Sequence, residues 1–301
     1  MGGSWCSGWG ADHVLRAETT VRRALDLGIN WIDTAPLYGL GSGEELIARS
    51  LLGVPRERVF LATKCGRVWD AQRRVHFDLR PASIRAECEA SLRRLRTDCV
   101  DLLQIHWPDR ETGTPLEESW GELARLKAEG KARWIGVSNF SVPEIETCLQ
   151  VAPVDSLQPP YSLLERAAES ALLPFCLAHG IAVLAYSPLA SGLLSGHLRP
   201  ASLAPDDMRR RNAHYKGPRL AAALEAVDSL RRIADERCAT PAQLALAWVA
   251  SHPAVTAAIA GAKRPEQIEE AAGAMTIRLS AGDRAAIAEL FSAVAVVGTP
   301  A

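Results

Sequence analysis

The chain has 301 residues, of which 48% are hydrophobic and 23% are charged. This composition is typical of a globular protein with ample apolar material for a core, and it excludes a disordered chain. The 34 lysines and arginines nearly balance the 35 aspartates and glutamates, so the formal net charge is −1. The chain therefore lacks the basic field expected of a protein that binds nucleic acid or a membrane surface.

The seven cysteines are scattered, odd in number and never arranged as CxxC. This pattern indicates neither a disulfide framework nor a zinc site, so we predict no metal. The opening residues MGGSWCSGWG lack the basic and apolar regions of a signal peptide, and no apolar run approaches the roughly 18 residues of a membrane span. These features predict a cytoplasmic protein.

Short runs rich in Val, Ile and Leu alternate with longer amphipathic segments along the chain, which is typical of a parallel sheet wrapped in helices. Eight strands are predicted, at residues 2–5, 29–33, 58–63, 99–105, 132–137, 154–158, 181–186 and 255–260. No linker divides the chain, and α/β barrels occupy about 250 residues as one unit. We therefore predict an α/β protein with a (β/α)8 TIM barrel as a single domain over residues 1–301. Residues 191–218 lack regular patterning and predict a loop on the catalytic face.

Several helix starts carry a hydroxyl side chain followed three residues later by Glu or Gln. Such pairs can satisfy the first free amides of a helix reciprocally. They predict helices that begin beside Thr114, Ser141 and Thr240.

In an eight-stranded parallel barrel the chemistry lies at the carboxyl ends of the strands. Asp33, Tyr38, Lys64 and His106 all follow or end predicted strands there. A tyrosine with a pKa of about 10 is a weak acid near neutrality, so we expect the Lys64 ammonium to lower the pKa of Tyr38. Asp33 is expected to hold Lys64 charged, and His106 to hydrogen-bond a carbonyl oxygen. The set predicts acid catalysis by a phenol during hydride transfer to a carbonyl carbon.

Six motifs resemble those of the aldo-keto reductases in order and spacing, over nearly the whole chain. They are IDTAPLYG at 32–39, TKCG at 63–66, DLLQIHWPD at 101–109, GVSNF at 136–140, AYSPLASGLLSG at 185–196 and GAKRPEQIEE at 261–270. The resemblance implies NADPH-dependent reduction of aldehydes or ketones, with NADPH extended across the barrel mouth. The chain has no GxGxxG after a first strand, which agrees with a cofactor site that is not a Rossmann domain.

By this resemblance, Asp33, Tyr38, Lys64 and His106 match the catalytic tetrad of the family, with Tyr38 as general acid. The implied cofactor contacts are Ser4, Trp5, Asp33, Ser138, Asn139, Gln158, Tyr186, Ser187, Leu189, Gly192, Leu193, Gly261, Lys263, Arg264, Gln267 and Glu270. The cations Lys263 and Arg264 precede a predicted helix and suit a 2′-phosphate, which favours NADPH over NADH. Trp5, Trp69 and Trp107 are candidates for the substrate pocket.

The chain departs from the family pattern at three places. Family members usually have a hairpin and a full first strand before the Gly-x-Trp motif found here at Gly3, so the first strand is predicted to be truncated. Ala271 stands where Asn is common, and His197 where Lys is frequent. We expect one adenine contact and part of the pyrophosphate neutralisation to be missing.

Several alternatives stay open at this point. Ser138 and Asn139 could cap the helix that begins near Ser141, and Trp69 could cover a short hairpin. Cys65 is expected to have no catalytic role. The protein could also be an NADPH-binding regulatory or redox-sensing subunit, similar to channel-associated β-subunits, with little turnover, or a folding-compromised family member. The predicted partner is a small-molecule carbonyl substrate, without nucleic acid or membrane, and the sequence specifies neither that substrate nor the oligomeric state.

Overall fold

The computed structural model describes residues 11–198, 203, 207–211 and 215–295. The predicted strand at 2–5, and with it Ser4 and Trp5, lies outside the described residues. Contacts within the chain define two compact units, one reaching to Gln158 together with Ala262–Pro265, and one formed by Pro159–Gly261 and the residues from Glu266 onward. The single-domain organisation stays a prediction.

The first unit contains a parallel sheet and one antiparallel hairpin. Its strands are β1 Trp31–Asp33, β2 Phe60–Cys65, β3 Arg67–Trp69, β4 Val75–Phe77, β5 Val100–Ile105, β6 Ala132–Ser138 and β7 Ser156–Gln158. The parallel strands lie in the order β1, β2, β5, β6, β7, and β3 pairs with β4. Every residue of β5 is buried, as expected for a parallel strand covered on both faces.

Four helices connect these strands, and a fifth, α1, precedes β1. They are α1 Ala11–Asp26, α2 Ser42–Ser50, α3 Pro81–Leu95, α4 Leu116–Ala128 and α5 Val142–Leu149. Helix α3 buries Ile84, Cys88, Ser91 and Leu95, which recur at helical spacing, while its arginines lie toward the surface. The alternation of strand and helix therefore follows the predicted hydrophobic pattern.

The capping predictions succeed at two helices and fail at one. Ser141 and Glu144 form a capping box at the start of α5. The prediction that Thr114 caps α4 is wrong, because α4 begins at Leu116 after Pro115 and has no side-chain cap. The Thr114 amide instead donates to Asp109, 3.1 Å away, so the preceding loop holds this threonine.

The remaining elements belong mainly to the second unit. They are α6 Leu172–His179, β8 Ala182–Tyr186, α7 Gly217–Glu236, α8 Pro241–Ala250, β9 Val255–Ile259, α9 Pro265–Gly273 and α10 Ala281–Glu289. Strands β8 and β9 are parallel, with a register shift between Val183 and Leu184. Thr240 and Gln243 form the predicted capping box at α8.

Seven of the eight predicted strands are present, and several begin later than predicted. The predicted loop at 191–218 also contains short 3₁₀ segments, Ala190–Ser195 and Met208–Arg211. Within the part of the chain that the structure describes, none of the helices combines the length and apolarity that crossing a bilayer requires.

Candidate active site

The first unit brings the four predicted catalytic residues together at the carboxyl ends of adjacent strands. Asp33 is the last residue of β1, Lys64 lies one residue before the end of β2, and His106 directly follows β5. The parallel register pairs Asp33 with Ala62 and Lys64 with Gln104, so the three strands end side by side. Their functional side chains therefore share one edge of the sheet.

Lys64 is the buried cation of this site. Its Nζ lies 2.6 Å from Asp33 Oδ2, and the two side chains are only 1% and 7% exposed. Nζ also donates to the Thr34 carbonyl at 3.0 Å and interacts electrostatically with the Tyr38 side chain. Burial lowers the pKa of Lys64, but Asp33 and Tyr38 together outweigh burial, and the pKa is raised. Lys64 therefore stays charged.

Tyr38 lies against Lys64, with Nζ 5.3 Å from the ring centroid. Burial raises the pKa of Tyr38, Lys64 lowers it, Asp33 raises it, and the outcome is a pKa above the usual 10.0. The expected lowering of this pKa is therefore wrong for the protein alone: Lys64 acts in the expected direction, but desolvation is larger. The phenol stays protonated and is a hydrogen-bond donor.

His106 faces Tyr38 edge-on, with ring centroids 5.9 Å apart and an interplanar angle of 85°. Burial lowers the pKa of His106 well below its usual value, and Lys64 and Arg67 lower it further. The imidazole is therefore neutral near pH 7, so it can donate one hydrogen bond but is a poor acid. Of the two rings, Tyr38 is better suited to give up a proton to a substrate.

Three of the predicted nicotinamide contacts adjoin this group. Gln158 Nε2 donates to Asp33 Oδ1 at 2.9 Å, and Ser138 Oγ donates to the Gln158 carbonyl at 2.9 Å. Asn139 Nδ2 donates to the His106 carbonyl at 3.0 Å. The backbone of Asn139 is left-handed, with φ 63°, a conformation that asparagine tolerates better than most residues. Hydroxyl and amide groups thus adjoin the tetrad, and this donor and acceptor set suits a carboxamide.

The start of α5 shows which residues cap this helix. The Ser141 amide donates to Glu144 Oε2 at 2.7 Å, so Ser141 and Glu144 cap the helix themselves. The interpretation that Ser138 and Asn139 serve as the caps is therefore wrong.

Two predicted pocket residues follow the tetrad strands. Trp107 comes directly after His106 and is 41% exposed, a large fraction for a tryptophan. Trp69 is the last residue of β3 and lies in a short hairpin. A hairpin at this place is the alternative to the interpretation of Trp69 as a pocket residue. Cys65, beside Lys64, is buried, and burial raises its thiol pKa well above the usual value, so it is not a reactive thiol.

In the second unit, the predicted pyrophosphate contacts lie on a tight turn after β8. Tyr186 ends that strand, and Ser187, Ala190, Ser191 and Gly192 have φ values of 53°, 46°, 56° and 97°. Leu189 and Leu193 belong to the same turn. The Ala190 and Gly192 amides donate to the Ser187 and Leu189 carbonyls at 2.9 Å, so these left-handed residues form a closely hydrogen-bonded turn.

Side chains of the second unit hold this turn in place. The Tyr215 hydroxyl donates to the Ala190 carbonyl at 3.1 Å or the Ser191 carbonyl at 3.0 Å. A Cβ at Gly192 would lie 4.0 Å from the Arg209 guanidinium, which is paired with Asp207. The Arg209 guanidinium therefore lies beside the turn, where the sequence predicted that part of the positive charge would be missing because residue 197 is His.

The predicted adenosine contacts surround the start of α9. Gly261, Lys263 and Arg264 are exposed and precede the helix, and Gln267 and Glu270 lie on it. His197 Nε2 lies 3.6 Å from Glu270 Oε1, and the Glu270 carbonyl accepts from Gln243.

Sequence reasoning missed a buried carboxylate close in the chain to Tyr38. Glu44 is fully buried at the start of α2, where Thr63 and Arg94 bind its two carboxylate oxygens. A carboxylate in the first turn of a helix ordinarily indicates favourable interaction with the helix dipole, so its type and position gave no sign of a second role.

Comparison with known proteins identifies the family. A model of the Aldo/keto reductase family matches residues 2–291. The chain is 38% identical over 273 residues to Aldo-keto reductase YhdN of Bacillus subtilis (strain 168), with 89% of this chain and 82% of that protein covered. It is 35% identical over 284 residues to the NADH-specific methylglyoxal reductase of Escherichia coli (strain K12), with 91% and 87% covered.

Solved structures agree. Glycerol dehydrogenase AKR11B4 from Gluconobacter oxydans matches with TM-score 0.89 at 37% identity, covering 100% of this chain and 92% of that one. An aldo/keto reductase from Klebsiella pneumoniae in complex with NADP and acetate matches with TM-score 0.76 at 32% identity, covering 96% and 90%. The chain belongs to the aldo-keto reductase family and is an oxidoreductase, and the predicted (β/α)8 barrel fold class is confirmed.

Proposed function

We propose that the protein reduces the carbonyl group of an aldehyde or ketone with NADPH, and that Tyr38 is the general acid. The observation that carries the proposal is the buried Lys64 ammonium, whose Nζ lies 2.6 Å from Asp33 Oδ2 and 5.3 Å from the centroid of the Tyr38 ring. A phenol beside a fixed cation can release its proton to a nearby oxygen because the cation stabilises the phenolate that remains.

The four residues of the site have distinct roles in the proposed reaction. Asp33 keeps Lys64 charged in a buried environment, where an unpaired ammonium would tend to lose its proton. Neutral His106 donates a hydrogen bond to the carbonyl oxygen and fixes its approach to Tyr38. Tyr38 transfers its proton to that oxygen as negative charge develops there. When bound, the reduced nicotinamide supplies the hydride for the carbonyl carbon.

The residues present fit the cofactor. Ser138, Asn139 and Gln158, whose hydroxyl and amide groups adjoin Asp33 and His106, would hold the carboxamide. The left-handed turn at Ser187 and Gly192 would hold the pyrophosphate. Tyr186 would stack on the nicotinamide ring. Leu189 and Leu193 would lie along the pyrophosphate, and Gly261, Gln267 and Glu270 beside the adenosine.

The choice of NADPH over NADH rests on Lys263 and Arg264. Both are exposed and directly precede α9, where an added phosphate would meet two cations and a helix start. The Klebsiella pneumoniae structure contains NADP, whereas the Escherichia coli relative is described as NADH-specific. Fluorescence titration with both cofactors tests the choice, and we expect the smaller dissociation constant for NADPH.

The Tyr38→Phe variant tests the function. We expect kcat for NADPH-dependent reduction of a small aldehyde to fall by about a thousandfold, while the Kd for NADPH changes less than about twofold. Loss of binding and turnover to the same extent would contradict the role of Tyr38. Wild-type protein that binds NADPH tightly but turns over no member of a carbonyl panel would instead favour the regulatory subunit.

A further inference from the structure

A buried hydrogen-bonded group lies on the far side of β2 from Lys64. The Thr63 hydroxyl donates to Glu44 Oε1 at 2.6 Å, and Arg94 Nε donates to Glu44 Oε2 at 2.7 Å. Glu44 and Thr63 are each 0% exposed. Because successive residues of a strand face opposite sides, Thr63 binds Glu44 on one side while Lys64 binds Asp33 on the other.

Glu44 lies in the first turn of α2, next to a glycine that touches the backbone of Tyr38. The Gly43 amide donates to the Tyr38 carbonyl at 3.0 Å. A Cβ on Gly43 would lie 2.8 Å from that carbonyl oxygen, closer than real Cβ atoms approach, and 3.3 Å from the Tyr38 Cβ. The start of α2 is therefore in direct contact with the backbone that carries the phenol.

These contacts close a ring around the phenol and its cation. From the Tyr38 side chain the ring passes through Lys64 to Thr63, across the hydrogen bond to Glu44, and back through Gly43 to the Tyr38 backbone. We infer that the Thr63–Glu44 hydrogen bond is a positioning contact that sets the distance between the Tyr38 hydroxyl and Lys64. This inference rests on the proposed function, because it gives a role to Tyr38 and Lys64 as acid and cation.

The chemistry of the contact supports positioning over stability alone. A fully buried carboxylate is expensive to desolvate, and a pair of this kind is often no more stable than apolar residues of similar volume. Here the charge is balanced by Arg94, whose Nη2 also reaches Ser91 at 3.2 Å. A short charge-assisted hydrogen bond from the Thr63 hydroxyl to Glu44 then fixes the start of α2 relative to β2.

The charged groups around both ends of the ring are few. Tyr38 faces Asp33, Lys64 and His106. Glu44 faces Arg94 from α3, and outside Arg94 lie Arg49, Arg93, Arg96 and Glu45, which line a shallow cavity. A change in the pH profile of turnover in a Thr63 variant therefore reports on Tyr38 and Lys64, since Thr63 itself does not titrate.

The Thr63→Val variant removes only the hydroxyl and keeps the shape of the side chain. We expect kcat to fall by roughly tenfold to a hundredfold, because small misplacements of catalytic groups have effects of this size. KM and the Kd for NADPH should stay within about twofold of the wild-type values. The alkaline limb of the kcat profile should move to higher pH, because a more distant Lys64 lowers the Tyr38 pKa less.

Two further variants complete the test. Thr63→Ser keeps the hydroxyl and should restore kcat and the pH limb to near wild-type values. Thr20→Val is the matched control, because it deletes another buried threonine hydroxyl, bonded to the Arg16 carbonyl at 2.7 Å, away from the ring. It should destabilise the protein less than Thr63→Val, because it leaves no buried carboxylate oxygen without a donor, and it should leave kcat and the pH profile unchanged.

The outcomes distinguish the positioning role of Thr63 from the proposed function of the protein. A Thr63→Val variant with wild-type kcat and pH profile, in a protein whose Tyr38→Phe variant is inactive, overturns the positioning role and leaves the proposed function standing. Equal losses of kcat in Thr63→Val and Thr20→Val, with no shift of the pH limb, also overturn it. Full turnover in Tyr38→Phe overturns the proposed function and the inference together.

Discussion

The two ends of the same parallel strands are built from opposite kinds of side chain. At their carboxyl ends, β1 and β2 place Asp33 and Lys64 in a buried ion pair. In the amino-terminal halves of β1, β2 and β6, three rings stack instead. Trp31 and Phe60 have centroids 3.7 Å apart, and Phe60 and Trp134 have centroids 5.6 Å apart.

This difference separates the sources of stability from the sources of chemistry. Stacked aromatic rings bury apolar area and need no partner charges, so the amino-end stack contributes directly to the free energy of unfolding. A buried ion pair is often no more stable than apolar residues of similar volume, so the carboxyl-end pair contributes less to the free energy of unfolding than its short distance suggests. In α/β barrels the carboxyl ends of the strands ordinarily carry the active site, and the amino ends contribute to stability.

The strongest test of this division breaks the buried ion pair. Lys64→Met leaves the Asp33 carboxylate without its cation, and we expect a loss of about 3–5 kcal/mol in the free energy of unfolding. The double variant Asp33→Asn/Lys64→Met should regain most of that loss. Both should turn over at least about a thousandfold more slowly than the wild type. Urea unfolding and steady-state kinetics on the same preparations check this, and recovered turnover in the double variant would refute the division.

A second test concerns a costly carboxyl group just beyond the carboxyl end of β2. Glu87 Oε1 accepts the Gly66 amide at 2.9 Å. Burial raises the pKa of Glu87 from 4.5 to about 8. Glu87 is therefore protonated in the folded protein and ionised in the unfolded chain above about pH 5, so its contribution to stability is lost as pH rises toward 8.

We expect the wild type to lose on the order of 3 kcal/mol of unfolding free energy between pH 5 and pH 8, relative to a Glu87→Gln variant. Urea unfolding at the two pH values measures this difference. Parallel pH dependence in the two proteins would show that the carboxyl group ionises normally in the folded state.

The mildest test removes the centre of the aromatic stack. Phe60→Ala should lower the free energy of unfolding by about 2 kcal/mol, less than for a fully buried ring because Phe60 is partly exposed. Phe60→Leu should lose about half as much. Because Phe60 lies four residues before Lys64 on β2, kcat should remain unchanged in both variants. A large loss of kcat without loss of stability would mean that the two ends of the strand are coupled.

The sequence predicts the strands and the tetrad for one physical reason. Apolar runs mark buried parallel strands, and the end of each run fixes which polar residue reaches the carboxyl edge, as with Asp33, Lys64 and His106. The register of neighbouring strands then brings residues that are far apart in sequence into contact. The clustering of the tetrad could therefore be predicted before any coordinate was known.

Other features depend on contacts that residue spacing does not encode. The pKa of Tyr38 is decided by the balance between burial and the charge of Lys64, and burial is larger. Thr114 has the spacing of a helix cap, but Asp109 binds its amide first. Glu44 has the pattern of an ordinary first-turn carboxylate, and only the packing of α2 and α3 against β2 gives it two buried partners.

The β3–β4 hairpin is joined to β2 at a conformationally restricted glycine. Among the described residues its strands pair with each other, Arg67 with Phe77 and Trp69 with Val75, and Gly66 joins it to β2. The Phe77 amide also donates to Glu111 Oε2 at 3.0 Å. Gly66 has a φ of 88°, and a Cβ there would lie 2.7 Å from the buried Leu79 side chain, so this position favours glycine. Substitutions in the hairpin beyond this glycine therefore change side chains beside the carboxyl end of β2 and leave the residues of β2 itself, including Lys64, as they are.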